Sequence, residues 1–289
     1  MRIYGKIIET IPEERIVKIE YDGRLLYLYM TRKVFKDFGP YFYHNPYIFV
    51  DIDNQPRKYG KYFVYDINYF VKVVEPTKRE RKIFYDIFTI KKGVKKLLDK
   101  INYKMFLDLE FSLPAYYQSM PHVAEIVQYG IVIEDKDGNI VFEDSNLVNP
   151  KKKYSLNSRT LKFLSRTRDE YDNAIEYIEF YELLEKIIKE YNPKIIAWGR
   201  SDMLALEQSF QVNKVKPLQI RKKYVNIMQV IKNYYNFKEE MGLFQTYQEM
   251  SGEQLKPQIH DALEDAMLTR EIYRMFKVRV NDDIKRGVK

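Results

Sequence analysis

The stretch Lys104-Met105-Phe106-Leu107-Asp108-Leu109-Glu110-Phe111-Ser112 sets two carboxylates into a segment that otherwise reads as a central, buried strand. Residues two apart on a strand share a face, so Asp108 and Glu110 stand side by side, roughly 7 Å apart, with Phe106 beside them. Met105, Leu107 and Leu109 fill the opposite face. Neighbouring carboxylates repel one another and are costly to remove from water. Either the strand runs out into solvent here and carries ordinary surface charges, or a cation compensates the pair. Mg²⁺ and Mn²⁺ suit the second case, being hard, oxygen-seeking ions.

The pattern around this strand is α/β. Strands are expected at Tyr103–Glu110, Glu125–Glu134 and Asn139–Asn146, the last two joined by a hairpin at Asp137-Gly138. Helices are expected around 155–165 and 172–191, a short strand at Lys194–Trp198, a helix from Ser201, and a long helix from about Asp261 to Val278. Such alternation builds a mixed sheet with helices packed on it.

Two further segments carry acids where a fold does not need them. In Ile195-Ile196-Ala197-Trp198-Gly199-Arg200-Ser201-Asp202, a strand leaves the sheet through a glycine and Asp202 falls in the first turn of a helix. The carboxyl ends of strands are where sites collect in open α/β sheets. An N-cap at Ser201 with Asp202 complementing the helix dipole explains the same residues. In His260-Asp261-Ala262-Leu263-Glu264-Asp265-Ala266, Asp261 and Glu264 match an N-cap and its third-position partner, so a helix starts near residue 262. Asp265 then lies on the inward stripe with Ala262, Leu268, Ile272 and Met275, where an acid needs an arginine or a metal. His260 sits just outside the helix.

FLDLEFS, IIAWGRSDMLALEQ and HDALEDAMLTREIY together resemble the DEDDh family of 3′–5′ exonucleases, in particular the ribonuclease T and Eri-type exoribonuclease group, over roughly residues 103–280. Ala124–Val132 is similar to the family's second strand. The resemblance implies a ribonuclease H-like fold, a mixed five-stranded sheet with flanking helices. It implies two divalent ions, Mg²⁺ or Mn²⁺, held by Asp108, Glu110, Asp202 and Asp265, with His260 as the general base. A tyrosine four residues before the last Asp would mark the sister DEDDy class, and Asp261 stands there instead. Two departures remain. Phe111-Ser112-Leu113 replaces the familiar Thr-Thr-Gly, and Arg200 stands where Asn or Asp is usual. Leu109, Phe111, Ser112 and Met203 are expected to touch the terminal nucleotide, through adjacency to the acids. The implied substrate is single-stranded nucleic acid, RNA before DNA. A non-catalytic nucleic-acid adaptor and a proofreading DNA exonuclease subunit are the alternatives.

The first third of the chain lies outside the resemblance. Gly5–Thr10, Arg15–Tyr21, Leu25–Met30, Tyr47–Asp53 and Tyr62–Val74 alternate as strands between turn signals, which predicts a small β-barrel over residues 1–76, OB-like or cold-shock-like in preference to an SH3-like barrel of the same sequence pattern. Residues 77–102 are expected to form a helical connector with Thr77 as N-cap, and residues 281–289 a C-terminal tail. Net charge is confined to this third: residues 1–103 hold 21 Lys and Arg against 13 Asp and Glu, and the remainder balances. It also holds 21 of the 44 aromatics. Cations among aromatic faces suit single strands, and a barrel core needs aromatics as well. Tyr27, Tyr29, Phe42 and Tyr43 are the candidate contacts; His44 reads as structural and His122 as a loop residue. The absence of cysteine excludes a disulfide framework, a thiol nucleophile and a thiolate metal site. With no apolar leader or span, a cytoplasmic chain with no membrane partner is expected.

Overall fold

A computed structural model describes residues 1–76, 81–117, 121–237, 239–253 and 260–285. It divides into two compact units, Met1–Val94 with a few residues from Tyr234 onward, and the rest.

The first unit starts with β1 (Arg2–Ile11), β2 (Ile16–Tyr21) and β3 (Arg24–Tyr29), then α1 (Arg32–Phe38). β4 (Tyr47–Ile52), β5 (Arg57–Tyr59) and β6 (Tyr62–Pro76) follow. β1 pairs antiparallel with β2 and β4, β2 with β3, and β4 with β6. β3 lies parallel to β6 and closes the ring. This is the expected OB-like barrel, and closure removes its sheet edges except along the C-terminal part of β6. Alternating residues turn inward: Ile3, Ile7, Val17, Ile19, Leu28, Ile48, Val50, Ile67 and Phe70 make its core. Phe38 stacks on Phe70 at 4.1 Å. Phe42, a candidate nucleic-acid contact, is 2% exposed in this core and is corrected to a packing residue. Tyr43 is exposed.

The expected helical connector begins later than residue 77. β7 (Arg81–Asp86) pairs antiparallel with β6, and α2 (Ile87–Asp99) follows. Ile83 sits at helical spacing from Ile87, yet the edge of the long β6 captures it. Thr77 lies outside the described residues; Asp86 Oδ1 caps α2 by accepting from the Phe88 and Thr89 N–H groups at 2.9 and 3.3 Å.

The second unit holds β8 (Lys104–Phe111), β9 (Ile126–Glu134), β10 (Ile140–Asn149), α3 (Ser158–Leu164), β11 (Ile175–Glu176) and α4 (Tyr177–Tyr191). β12 (Lys194–Ala197), α5 (Ser201–Val212), β13 (Tyr224–Asn226), α6 (Ile227–Tyr235), α7 (Leu243–Ser251) and α8 (Ala262–Lys285) complete it. The sheet order is β11-β10-β9-β8-β12-β13, antiparallel across β8, β9 and β10 and parallel from β8 to β12 and β13. It is the ribonuclease H-like mixed sheet, with the two-residue β11 as an added edge. α8 extends through Lys285 into the segment expected to be a tail.

Met105, Leu107 and Leu109 bury one face of β8 among Phe180, Leu184, Leu206 and Phe210 of α4 and α5. Phe106 turns the other way and meets Tyr273 of α8 edge-on at 5.5 Å. At the start of β8, the buried Lys104 pairs with Glu134 at 3.0 Å, and Arg270 of α8 pairs with Glu134 at 2.8 Å. That triad ties β8, β9 and α8 together, leaving the carboxyl end of β8 for the other acids. No described helix is long and apolar enough to cross a membrane.

Candidate active site

Asp108 and Glu110 end β8 on the face that α8 covers. Their partners on β9 are Gly130 and Gln128. A Cβ at Gly130 would overlap the Ala262 carbonyl and the Leu263 nitrogen. The missing side chain is therefore what lets the first turn of α8 press onto the sheet, with Ala262 and Ala266 fully buried. Asp261 fixes that turn. Its Oδ1 accepts from the Leu263 and Glu264 N–H groups at 3.1 and 3.2 Å. Its Oδ2 accepts from Gln128 of β9 and Arg166, each at 2.9 Å. Asp265 follows one turn on, 5% exposed. The inward stripe runs Ala262, Asp265, Ala266, Thr269, Ile272, Tyr273 and Phe276, so Leu268 and Met275, expected on it, lie at its margin.

Asp202 arrives from β12. That strand lies parallel to β8, and its chain turns out through Gly199, whose φ of +95° favours glycine. Arg200, not Ser201, occupies the N-cap position of α5, without a side-chain cap. Asp202 is 4% exposed, and its Oδ1 accepts the Leu109 N–H at 3.0 Å. A pure dipole role would leave it in solvent. It is instead drawn onto β8 beside Asp108.

His260 Nδ1 lies 3.8 Å from Glu110 Oε1. Donor atoms of Glu110, His260 and Asp265 all fall within 4.8 Å of one another. Phe163 of α3 stacks on the imidazole, centroids 3.9 Å apart. α3 is anchored to the segment after β8, because Asn157 Nδ2 donates to the Leu113 carbonyl at 2.7 Å and the Leu113 N–H donates to Thr160 Oγ1 at 2.9 Å.

The electrostatics mark the acids as poorly compensated. Burial, then repulsion from Asp265, Asp202 and Asp261, pushes Glu110 up to about 8. Burial raises Asp202 to about 7, with Asp265 adding to it against the Leu109 hydrogen bond. Asp108 is raised well above the usual carboxylate range by burial and by Asp202, Asp265 and Glu110. Among the described residues, no Lys or Arg pairs with Asp108, Glu110 or Asp202. An all-oxygen set of this charge, with one imidazole at its rim, fits a hard divalent cation. His260 moves the other way: partial burial lowers it below its ordinary 6.5, so it is neutral at pH 7.

These shifts have a sign. Glu110 and Asp202 hold protons in the folded, metal-free chain over a range where the unfolded chain has lost them. Their contribution to stability is thus greatest at low pH and falls as pH rises from about 4.5 through about 8. Thermal melts in EDTA should show Tm dropping on the order of 5 °C across that window. Added Mg²⁺ should restore Tm more strongly at pH 8 than at pH 5, because metal competes with protons for the same oxygens.

The exonuclease family model RNase_T matches residues 105–273, more than half of the chain. The chain belongs to this exonuclease family. It is a nuclease of the DEDDh kind, a phosphodiester hydrolase. The second unit shares its fold with the nuclease domain of 3′hExo, a DEDDh family member solved bound to rAMP, at 20% identity and a TM-score of 0.55 over 62% of this chain and 93% of that one. It is similarly related to a 3′-exonuclease solved in recognition of the histone mRNA stem-loop 3′ end, at 19% identity, a TM-score of 0.54, and 61% and 82% of the two chains. Cell-death related nuclease 4 matches at 18% identity and a TM-score of 0.53 over 62% of this chain, which spans 64% of that protein. No curated protein sequence matches the chain.

The residues expected at the terminal nucleotide stand differently. Leu109 is 3% exposed within the core, and what it brings to this exonuclease site is its N–H toward Asp202. Ser112 is 1% exposed; its hydroxyl accepts from the Glu125 N–H at 3.0 Å and contacts His122 Nε2 at 3.2 Å. Phe111 and Met203 pack partly against the core. Sequence reasoning missed Gly130, Gln128, Phe163 and Arg166. Only Gly130 carries a signal, as a glycine inside an apolar strand.

Gly130→Ala should therefore cost about 1–3 kcal/mol through overpacking. It should also cost on the order of 10²-fold in nuclease rate, since α8 must retreat and carry Asp265 and His260 with it. Melts and initial rates on the same preparation check both.

Proposed function

We propose that the chain is a metal-dependent 3′–5′ exonuclease that hydrolyses phosphodiester bonds of single-stranded nucleic acid, RNA before DNA, and releases nucleoside monophosphates. The observation that carries this reading is the convergence of Asp108, Glu110, Asp202 and Asp265, close enough for Asp108 to feel the charge of the other three, with His260 beside Glu110.

Asp108, Glu110, Asp202 and Asp265 would hold the divalent cations, with His260 beside Glu110. Bound Mg²⁺ or Mn²⁺ supplies an activated water and neutralises charge on the attacking and leaving oxygens. His260, neutral at pH 7, takes the water's proton on a ring nitrogen. Phe163, stacked on it, holds the ring's plane. The Leu109 N–H and the Asp261 cap hold Asp202 and the first turn of α8 in position. The preference for RNA draws on the rAMP and histone mRNA named for the related structures. A non-catalytic adaptor has no use for three buried acids, Asp108, Glu110 and Asp202, whose proton affinity is raised by burial and by one another or Asp265.

The test is incubation with 5′-labelled RNA and DNA oligomers in Mg²⁺, Mn²⁺ or EDTA. A ladder shortening from the 3′ end, formed with metal and absent in EDTA, is the expected result. Internal cuts, or cleavage unaffected by EDTA, would overturn the reading.

A further inference from the structure

We propose that the barrel has its own single-stranded nucleic-acid site, on the outer face where β2, β3 and the β5–β6 hairpin meet. Tyr27 and Tyr29 flank Leu28, which points into the barrel core, so both tyrosines turn outward. Tyr27 packs on Tyr62 at 5.1 Å and Tyr29 on Tyr59 at 4.7 Å, giving two ring pairs on one face. Four cations are set among them. Lys18, the β2 partner of Tyr27, lies 5.7 Å from its ring, and Lys61 lies 5.3 Å from Tyr62. Arg57 lies 4.7 Å from the Tyr29 ring and 5.3 Å from that of Tyr59. Arg15 donates to the Tyr29 hydroxyl at 3.0 Å. The carboxylates beside them are Asp66, which holds Arg57 bidentately, Glu9, 3.8 Å from Lys18, and Glu14, whose charge acts on Arg15.

Packing accounts for part of this cluster. Val64 and Ile16 are fully buried on this face, in register with Tyr27 and Tyr29, and the β5 partner of Val64 is Arg57, so the tyrosines and the hairpin help seal both. Sealing two aliphatic side chains requires no cations. Arg57 keeps 44% of its side chain exposed even while paired. Aromatic faces interleaved with positive charge match a chain that alternates bases and phosphates. A duplex, whose bases are already stacked, would use only the charges.

The test uses the full chain in EDTA, so that bound strands survive, with a long fluorescent oligouridylate read by anisotropy. Lys18→Glu with Lys61→Glu should weaken binding at least about tenfold and flatten the salt dependence, at roughly 0.7 in log–log slope for each phosphate no longer neutralised. Tyr62→Ala should weaken it by roughly 5- to 100-fold. With metal added, hydrolysis of a dinucleotide, too short to span two sites, should be unchanged. In the unsubstituted chain, photocrosslinking with a 5-iodouridine oligomer should label Tyr27, Tyr29, Tyr59 or Tyr62. Unchanged affinity in the variants, or polyglutamate competing as well as RNA, would overturn the proposal. So would crosslinks confined to Tyr4, Tyr21 and Tyr47, which line a groove of about 440 Å³ elsewhere on the barrel. Binding and crosslinks without hydrolysis of any substrate would sink the exonuclease reading and leave this site standing.

Discussion

Asp108→Asn should lower the rate of strand hydrolysis on the order of 10⁴-fold and, in EDTA, raise Tm. Both effects follow from one geometry. Asp108 sits among Asp202, Asp265 and Glu110, each of which raises its proton affinity. Removing its charge deletes one of the carboxylates proposed to hold the cations, and residues acting as one unit lose most of their effect when any one is removed. The same change relieves repulsion in the metal-free chain, as expected where a site is kept at the expense of stability. Asparagine keeps the shape, so the β8–β9 register at Gly130 is undisturbed. Rates from a labelled oligomer and melts with and without Mg²⁺ separate the outcomes. An Asp108→Asn variant that stays active, or one that melts lower than the parent in EDTA, would count against the arrangement.

His260→Ala should cost 10²- to 10⁴-fold in rate while metal affinity changes little. At saturating metal, the parent rate should fall as pH drops through the His260 pKa, which burial places below 6.5, because the imidazolium cannot accept a proton. In the alanine variant that acidic limb should disappear. The carboxylates' own titration is suppressed once metal occupies them. The pH–rate profiles of the two proteins, measured side by side, decide the matter. A variant with the parent's rate near pH 7 removes His260 as the base.

Much of this was legible because it is local. Period-two alternation between Asp22-Gly23, Gly39-Pro40 and Asn45-Pro46 marks the barrel strands, whose pairings then close as an OB-like ring. Asp261 reads as an N-cap and acts as one. Asp108 and Glu110 sit on the strand face that α8 covers, as the alternation from Phe106 requires. What stayed hidden depends on partners distant in sequence. β7 is a strand because β6 pairs with it, although Ile83 is spaced for a helix. Ser112 adjoins the acids in sequence, yet Glu125 on the approach to β9 claims its hydroxyl. Phe163 meets His260 across nearly a hundred residues, and nothing near it in the chain signals that contact.

The most direct test of the four converging acids is calorimetric titration of Mn²⁺ into the metal-free full chain at pH 7, in two buffers of different ionisation enthalpy. Saturable binding with net proton release is expected, since Glu110, raised to about 8, must give up its proton to take a cation. Asp108→Asn should lose most of that binding. No saturable heat, or binding that releases no protons and survives Asp108→Asn, would contradict a shared cation site.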